Sequence, residues 1–208
     1  MRQFKSQQLW QCDAVALAAA LRSCHRCLVY GLLVWSVSLL SMSPVMAEET
    51  EMKVGDAAPE FTLQDQNAVQ RQLVDYRGQW LVLYFYPKDD TPGCTTEACN
   101  FRDDYFEIKK LGAEVMGISL DTAGSHAEFA KKFSLPFPLL ADVDAVVAKQ
   151  YGSLWGIWPL RYARRHTFLI NPDGKIAKIY RDVEPKKHSA ELIAAIKAVK
   201  KELAGSKP

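Results

Sequence analysis

Two thiols five residues apart, Cys94 and Cys99, lie in the stretch Tyr86 to Cys99, YPKDDTPGCTTEAC, with Pro87 and the hydroxyl of Thr91 just upstream. These residue types can make a reactive cysteine and a partner for it. The thiolate, not the thiol, is the nucleophile, so the surroundings of the sulfur decide whether it reacts. In Thr91-x-x-Cys94 the hydroxyl supplies both a donor and an acceptor, which can orient a small oxygen-containing substrate against the sulfur.

The elements that must position these groups can be read from the flanking residues. Leu81 to Tyr86, LVLYFY, is an unbroken apolar and aromatic run of strand length, which suits a strand buried on both faces of a parallel or mixed sheet. It stops at Pro87, which cannot donate a ladder hydrogen bond. Lys88 to Thr91 reads as a loop, Asp90 or Thr91 can cap a helix, and Pro92 suits its first position. Thr95 to Lys110 has few helix breakers. Cys94 is therefore expected in or near a helical first turn, where unpaired N–H groups and the positive end of the helix dipole favour a thiolate.

In an ideal helix a separation of five residues places the two Cα atoms ~8.6 Å apart on different faces. A disulfide needs them within roughly 4.4–6.8 Å. If both cysteines are helical when reduced, the first turns must unwind before the sulfurs can join.

Pro87, Thr91 and Cys94 match the P-x-x-x-T-x-x-C pattern of peroxiredoxins, and DDTPGCTTEAC resembles the subgroup called peroxiredoxin Q or bacterioferritin comigratory protein. The likeness runs from about Val54 to Leu203 and is most specific from Pro87 to Arg102. It implies a thioredoxin-like α/β fold with a central mixed β-sheet flanked by helices. It also implies a peroxidatic role for Cys94 and a resolving role for Cys99, five residues on. The family's active-site arginine best matches Arg165 in RRHTFLINPDGKI, with Arg164 as the adjacent alternative. The implied reaction is reduction of hydrogen peroxide or an organic hydroperoxide through a Cys94 sulfenic acid and a Cys94–Cys99 disulfide. A thioredoxin-like reductant would reopen that disulfide. No metal or organic cofactor is called for, because sulfur carries both electrons. Subgroup membership and an intramolecular resolving cysteine point to a monomer.

Residues 1–26 carry four basic residues against one acid, and Cys27 to Ala47 carries no charge. Pro44-Val45-Met46-Ala47 before Glu48 resembles a signal-peptidase boundary. Residues 1–47 are read as a secretory signal, with export to the periplasm; a membrane anchor or an organelle transit peptide are the alternatives. Cys12, Cys24 and Cys27 fall in this leader, so Cys94 and Cys99 are the two cysteines of the remaining chain. Cys24-His25-Arg26-Cys27 has the spacing of a redox or metal motif but lacks a surrounding strand–helix unit and a second ligand pair.

Residues 48–208 make a single domain of 161 residues, with 22 basic and 23 acidic residues and a net charge of −1. No strong basic field remains for nucleic acid. Short strands are expected at Ala58 to Leu63 and Val69 to Leu73, and a second inner strand at Glu114 to Ser119. Helices are expected at Ser125 to Phe133, Val143 to Tyr151 and Ser189 to Leu203. His166 to Ile170 and Lys175 to Tyr180 flank Asn171-Pro172-Asp173-Gly174, a strong hairpin signal. The aromatic stretch Tyr151 to Tyr162 is expected as a surface loop near the reactive cysteine. Glu97 fits either a hydrogen-bonded group within the cysteine helix or a solvated helix-face carboxylate. His126, His166 and His188 lack mutual ligand spacing.

Four other readings compete. A plain stabilising disulfide would leave Pro87, Thr91 and the helix-start location unexplained. A thiol–disulfide oxidoreductase acting on proteins is weakened by the lack of C-x-x-C in residues 48–208, and a zinc site lacks further ligands. A redox-inactive binding module would not need Cys94.

Overall fold

A computed structural model describes residues 51–205, and the leader at residues 1–47 lies outside them. A five-stranded mixed sheet carries the fold. In chain order the elements begin with a small antiparallel pair, β1 (Thr62–Gln64) and β2 (Gln70–Gln72), and a 3-10 turn at Leu73–Tyr76. They continue with β3 (Trp80–Phe85), α1 (Pro92–Lys110), β4 (Ala113–Ser119), α2 (Ala123–Phe133), β5 (Leu139–Ala141) and α3 (Val146–Gln150). The hairpin β6 (Leu154–Ile157) and β7 (Leu160–Ala163) comes next, followed by β8 (His166–Ile170), β9 (Ile176–Tyr180) and α4 (His188–Gly205). The large sheet has the order β5-β4-β3-β8-β9. β3, β4 and β5 run parallel, while β8 is antiparallel to both β3 and β9.

Every residue of β3 is buried, as its unbroken apolar run requires of a central strand covered on both faces. Its alternating side chains feed two cores. Trp80, Val82, Tyr84 and Tyr86 pack with Phe101 and Ile108 of α1 and with Leu192 and Ile196 of α4. Leu81, Leu83 and Phe85 pack on the other face with Met116, Phe168 and Tyr151. Gly117 of β4 is fixed by this packing, since a Cβ there would stand 2.8 Å from the Tyr84 ring and from Leu139.

Helix α1 follows from its ends. Thr91 is its extended N-cap, Pro92 occupies the first turn, and Lys109 and Lys110 lie in the last turn, where the dipole favours cations. Gly112 then takes φ 69° and donates its N–H to the Lys109 carbonyl, ending the helix. Cys94, Ala98, Phe101 and Ile108 form its buried stripe.

Three expectations need revision. The strand expected at Ala58 to Leu63 pairs only from Thr62. Upstream, Ala57 bridges Lys175 and Ala58 donates to Gly174, while Pro59 has no N–H to continue the ladder. The helix expected from Val143 starts at Val146, because Ala145 is left-handed and the Asp142 carboxylate takes the N–H groups of Val147 and Ala148. The aromatic stretch is no single loop. Tyr151 is buried against Phe85 and Phe168, whereas the β6–β7 hairpin leaves Ile157, Trp158 and Leu160 largely exposed. Among the described residues no helix is long and apolar enough to cross a membrane.

Candidate active site

Cys94 sits in the first turn of α1 with 2% of its surface exposed, and Cys99 lies half-buried farther along the same helix. Both are free thiols. The first helical bond runs from Thr95 N–H to the Thr91 carbonyl, so the N–H groups of Gly93 and Cys94 have no partner within the helix. They are donors at the positive end of the helix, beside the sulfur.

Arg165, on the short connection from β7 to β8, reaches this turn from across the sheet. Its Nη2 donates to Cys94 Sγ at 3.3 Å, and its Nη1 donates to Glu97 Oε2. Arg164 is exposed and turns elsewhere, lining a depression with His166 and Arg181. Gly93 makes the approach of Arg165 possible, because a Cβ there would lie 3.2 Å from Arg165 Nη2. Thr91 does not cap α1 with its side chain. Its Oγ1 instead donates to the Lys88 carbonyl at 3.0 Å, leaving its lone pairs free to accept. Pro87 ends β3 as expected and lines a cleft of about 550 Å³ with Lys88, Leu120 and the hairpin residues Trp155, Leu160 and Tyr162.

Glu97 resolves the choice left open by its sequence position: it is 1% exposed and paired with Arg165, not solvated. One oxygen, Oε1, is buried without a partner. Burial pushes this carboxyl up to about 7, against the opposing pull of the Arg165 charge and hydrogen bond. Arg165 itself is held above its ordinary value: burial opposes the charge, but Glu97 and Cys94 outweigh it. The guanidinium is thus a permanent cation between a sulfur and a titratable carboxyl. The position of Glu97 is legible in the sequence as an i,i+3 neighbour of Cys94 on one helix face.

A second polar cluster lies just upstream. The buried Asp89 carboxylate accepts from Tyr86 Oη at 2.7 Å and Ser125 Oγ at 2.7 Å, and stands 2.8 Å from His126 Nδ1. No spacing in the sequence announces this group, whose members come from two segments far apart in the chain, Tyr86 with Asp89 and Ser125 with His126. His166 and His188 are also buried, and burial lowers each to about 4, keeping both neutral. Among the described residues no three His, Cys, Asp or Glu side chains converge to hold a metal ion.

The signature of the AhpC/TSA family matches residues 54–179. Chloroplastic peroxiredoxin Q of Oryza sativa subsp. japonica is 44% identical over 149 residues, covering 70% of this chain and 67% of the relative. A Coxiella burnetii protein named peroxiredoxin bcp is 40% identical over 151 residues, covering 70% of this chain and 99% of the relative. A solved structure of Xanthomonas campestris bacterioferritin comigratory protein, described in terms of alkyl peroxide reduction, aligns with a TM-score of 0.64 at 34% identity. It covers 69% of this chain and 98% of its own. A thioredoxin-like mixed sheet, a buried cysteine at a helix start and these relatives agree: the chain belongs to the AhpC/TSA family, as a peroxidase of its peroxiredoxin Q and bacterioferritin comigratory protein branch.

Proposed function

We propose that the protein reduces hydrogen peroxide and alkyl hydroperoxides with Cys94 as the peroxidatic residue and Cys99 as the resolving one. The observation that carries this reading is the Arg165 Nη2 contact to Cys94 Sγ at the open N-terminus of α1. The Cys94 thiolate attacks the terminal oxygen of the hydroperoxide. The O–O bond breaks, sulfur becomes a sulfenic acid, and the alkoxide or hydroxide leaves with a solvent proton as alcohol or water. Arg165 and the N–H groups of Gly93 and Cys94 stabilise the charge that moves onto the leaving oxygen, while Thr91 holds the peroxide in line. Pro87 ends β3 so that the following turn can present these groups.

Cys99 then attacks the sulfenic sulfur and expels water, forming the disulfide. Because both residues lie within α1, the first turns must unwind for this step. A thioredoxin-like dithiol reopens the bond by exchange, returning both thiols. The protein acts as a monomer. Residues 1–47 serve as an export leader that delivers residues 48–208 to the periplasm; amino-terminal sequencing of protein from its host should begin at Glu48.

The test is peroxide consumption with a thioredoxin reducing system, comparing wild type with Cys94→Ser and Cys99→Ser. Cys94→Ser abolishes turnover, and Cys99→Ser accumulates a sulfenic acid that a dimedone probe captures. A wild type that consumes no peroxide with any dithiol, yet exchanges disulfides with protein substrates, would overturn this reading in favour of an oxidoreductase.

A further inference from the structure

The Asp89 cluster is the most heavily bonded polar group next to the site, and it holds the connection from which α1 begins. Besides the three partners of its carboxylate, its own N–H donates to Asp121 Oδ2 at 2.9 Å, and Asp121 Oδ2 also accepts from Ser119 Oγ at 2.7 Å. One residue is therefore fastened to the ends of β3 and β4 and to the first turn of α2. The fastening is buried: Asp89 is 8% exposed and His126 fully enclosed. A carboxylate is stable in such a place only because its hydrogen bonds replace water. The next residue, Asp90, is left-handed, and Thr91 then starts the helix.

This location has a mechanical consequence. Unwinding of the first turns of α1 must pivot on the last firm point upstream, and Asp89 is the last buried one; Asp90 beyond it has only an exposed ion pair with Lys132. We propose that Asp89, held by Tyr86, Ser125 and His126, is the positioning residue that keeps the Cys94 turn in its peroxide-reactive shape. It thereby sets how often the Cys94 sulfenic acid is captured by Cys99 and how often by a second peroxide. The inference rests on the assignment of Cys94 and Cys99 above. In the competing reaction the Cys94 sulfenate attacks another hydroperoxide: a second S–O bond forms, the O–O bond breaks, an alcohol or water leaves, and a sulfinate remains. A firm anchor speeds the first oxidation but keeps Cys94 away from Cys99. A loosened anchor does the reverse.

The experiment uses the full chain with hydrogen peroxide and thioredoxin, measuring kcat/KM and, by intact mass, the sulfinate formed per turnover. Asp89→Ala lowers kcat/KM about tenfold, as misplacement of a reacting group does, and lowers sulfinate per turnover about threefold or more. Asp89→Asn keeps an acceptor for Tyr86 Oη and restores both values to within about threefold of wild type. Ser125→Ala removes one bond to Asp89 and shifts both quantities in the same directions by less, which keeps the test open if Asp89→Ala folds poorly. A fall in kcat/KM with unchanged sulfinate per turnover would mean a merely structural role and overturn the proposal. Amide hydrogen exchange over residues 93–99 of the reduced protein reads the anchor without any peroxide. Exchange in Asp89→Ala about tenfold faster than in wild type supports the proposal, and unchanged exchange overturns it. A wild type inactive towards peroxide would refute the peroxidase assignment instead, a result the exchange measurement does not depend on.

Discussion

Two buried carboxylates flank the turn that opens α1, Asp89 upstream and Glu97 one turn downstream, and their surroundings send them in opposite directions. Both oxygens of Asp89 are used: Tyr86 donates to one, Ser125 to the other, and His126 stands beside it. Burial raises its proton affinity, but these partners outweigh burial and hold it below the usual carboxylate range. Glu97 has Arg165 on one oxygen and nothing on the other, and there burial wins. Deeper burial of Glu97 and the fuller satisfaction of Asp89 together give a fixed charge in one place and a titrating one in the other. The fixed charge fastens a loop. The titrating one shares the cation that touches Cys94.

The largest expected effect comes from removing that shared cation's geometry. Arg165→Lys keeps a positive charge but loses the planar fork that meets Cys94 and Glu97 together. We expect kcat/KM for hydrogen peroxide to fall on the order of 10²–10³-fold, the usual loss when a preorganised transition-state donor is removed. Steady-state kinetics on the folded variant measure it. A loss below about tenfold would mean that the helix N-terminus alone stabilises the leaving charge, and Glu97 would no longer matter to the reaction.

How much of this contrast was legible in the sequence follows from distance along the chain. The strand ending at Pro87, the helix starting at Pro92 and the turn at Asn171 to Gly174 are local features, and all stand where proline, glycine and apolar periodicity place them. Glu97 could be paired with Cys94 by helical spacing, though its burial could not, since that depends on β3, α4 and Arg165 closing over α1. Arg165 lies far downstream and was visible only through family likeness. The Asp89–His126 pair had no signal, because it joins the loop after β3 to the first turn of α2, and their meeting is decided by the parallel pairing of β3 with β4. Similarly, the split of the aromatic stretch into buried Tyr151 and an exposed hairpin reflects which rings the second core could accept.

The two carboxylates should also give opposite slopes of stability against pH. Asp89 is lowered in the folded state, so its contribution is present above its unfolded value near 3.8 and is lost as pH falls through the lower folded value. Glu97 is raised, so its contribution is complete below about 4.5 and is lost as pH rises through about 7. Thermal unfolding of Glu97→Gln should therefore gain on wild type between pH 5 and 8, by about 5 °C in Tm. Asp89→Asn should instead lose least, relative to wild type, below pH 4. Parallel curves for wild type and Glu97→Gln would show that Arg165 keeps Glu97 ionised throughout.

Activity should carry the same signature on a smaller scale. When Glu97 is neutral, the Arg165 charge is left to the Cys94 thiolate; when it ionises, a second anion competes for that charge. The pH profile of kcat/KM in wild type should thus contain a component of about two- to fivefold centred near 7 that Glu97→Gln lacks. Profiles of the two proteins that superimpose after scaling would separate Glu97 from the chemistry and leave it a structural partner of Arg165.

The smallest effect tests the fit of the fork rather than its charge. A Cβ at Gly93 would lie 3.2 Å from Arg165 Nη2, close enough that the guanidinium must yield by a few tenths of an ångström. The atom that moves is the far end of a flexible side chain, so the fold should tolerate Gly93→Ala, and alanine is the better helix former. Arg165 can yield only by lengthening its contact with Cys94 or with Glu97. Loss on the Cys94 side should lower kcat/KM by about twofold at unchanged Tm. Loss on the Glu97 side should leave kcat/KM nearly intact and move the neutral-pH component upward, since a carboxyl with a weaker cation partner binds its proton more tightly. Measuring the pH profile of this variant therefore shows which of its two partners the arginine gives up first.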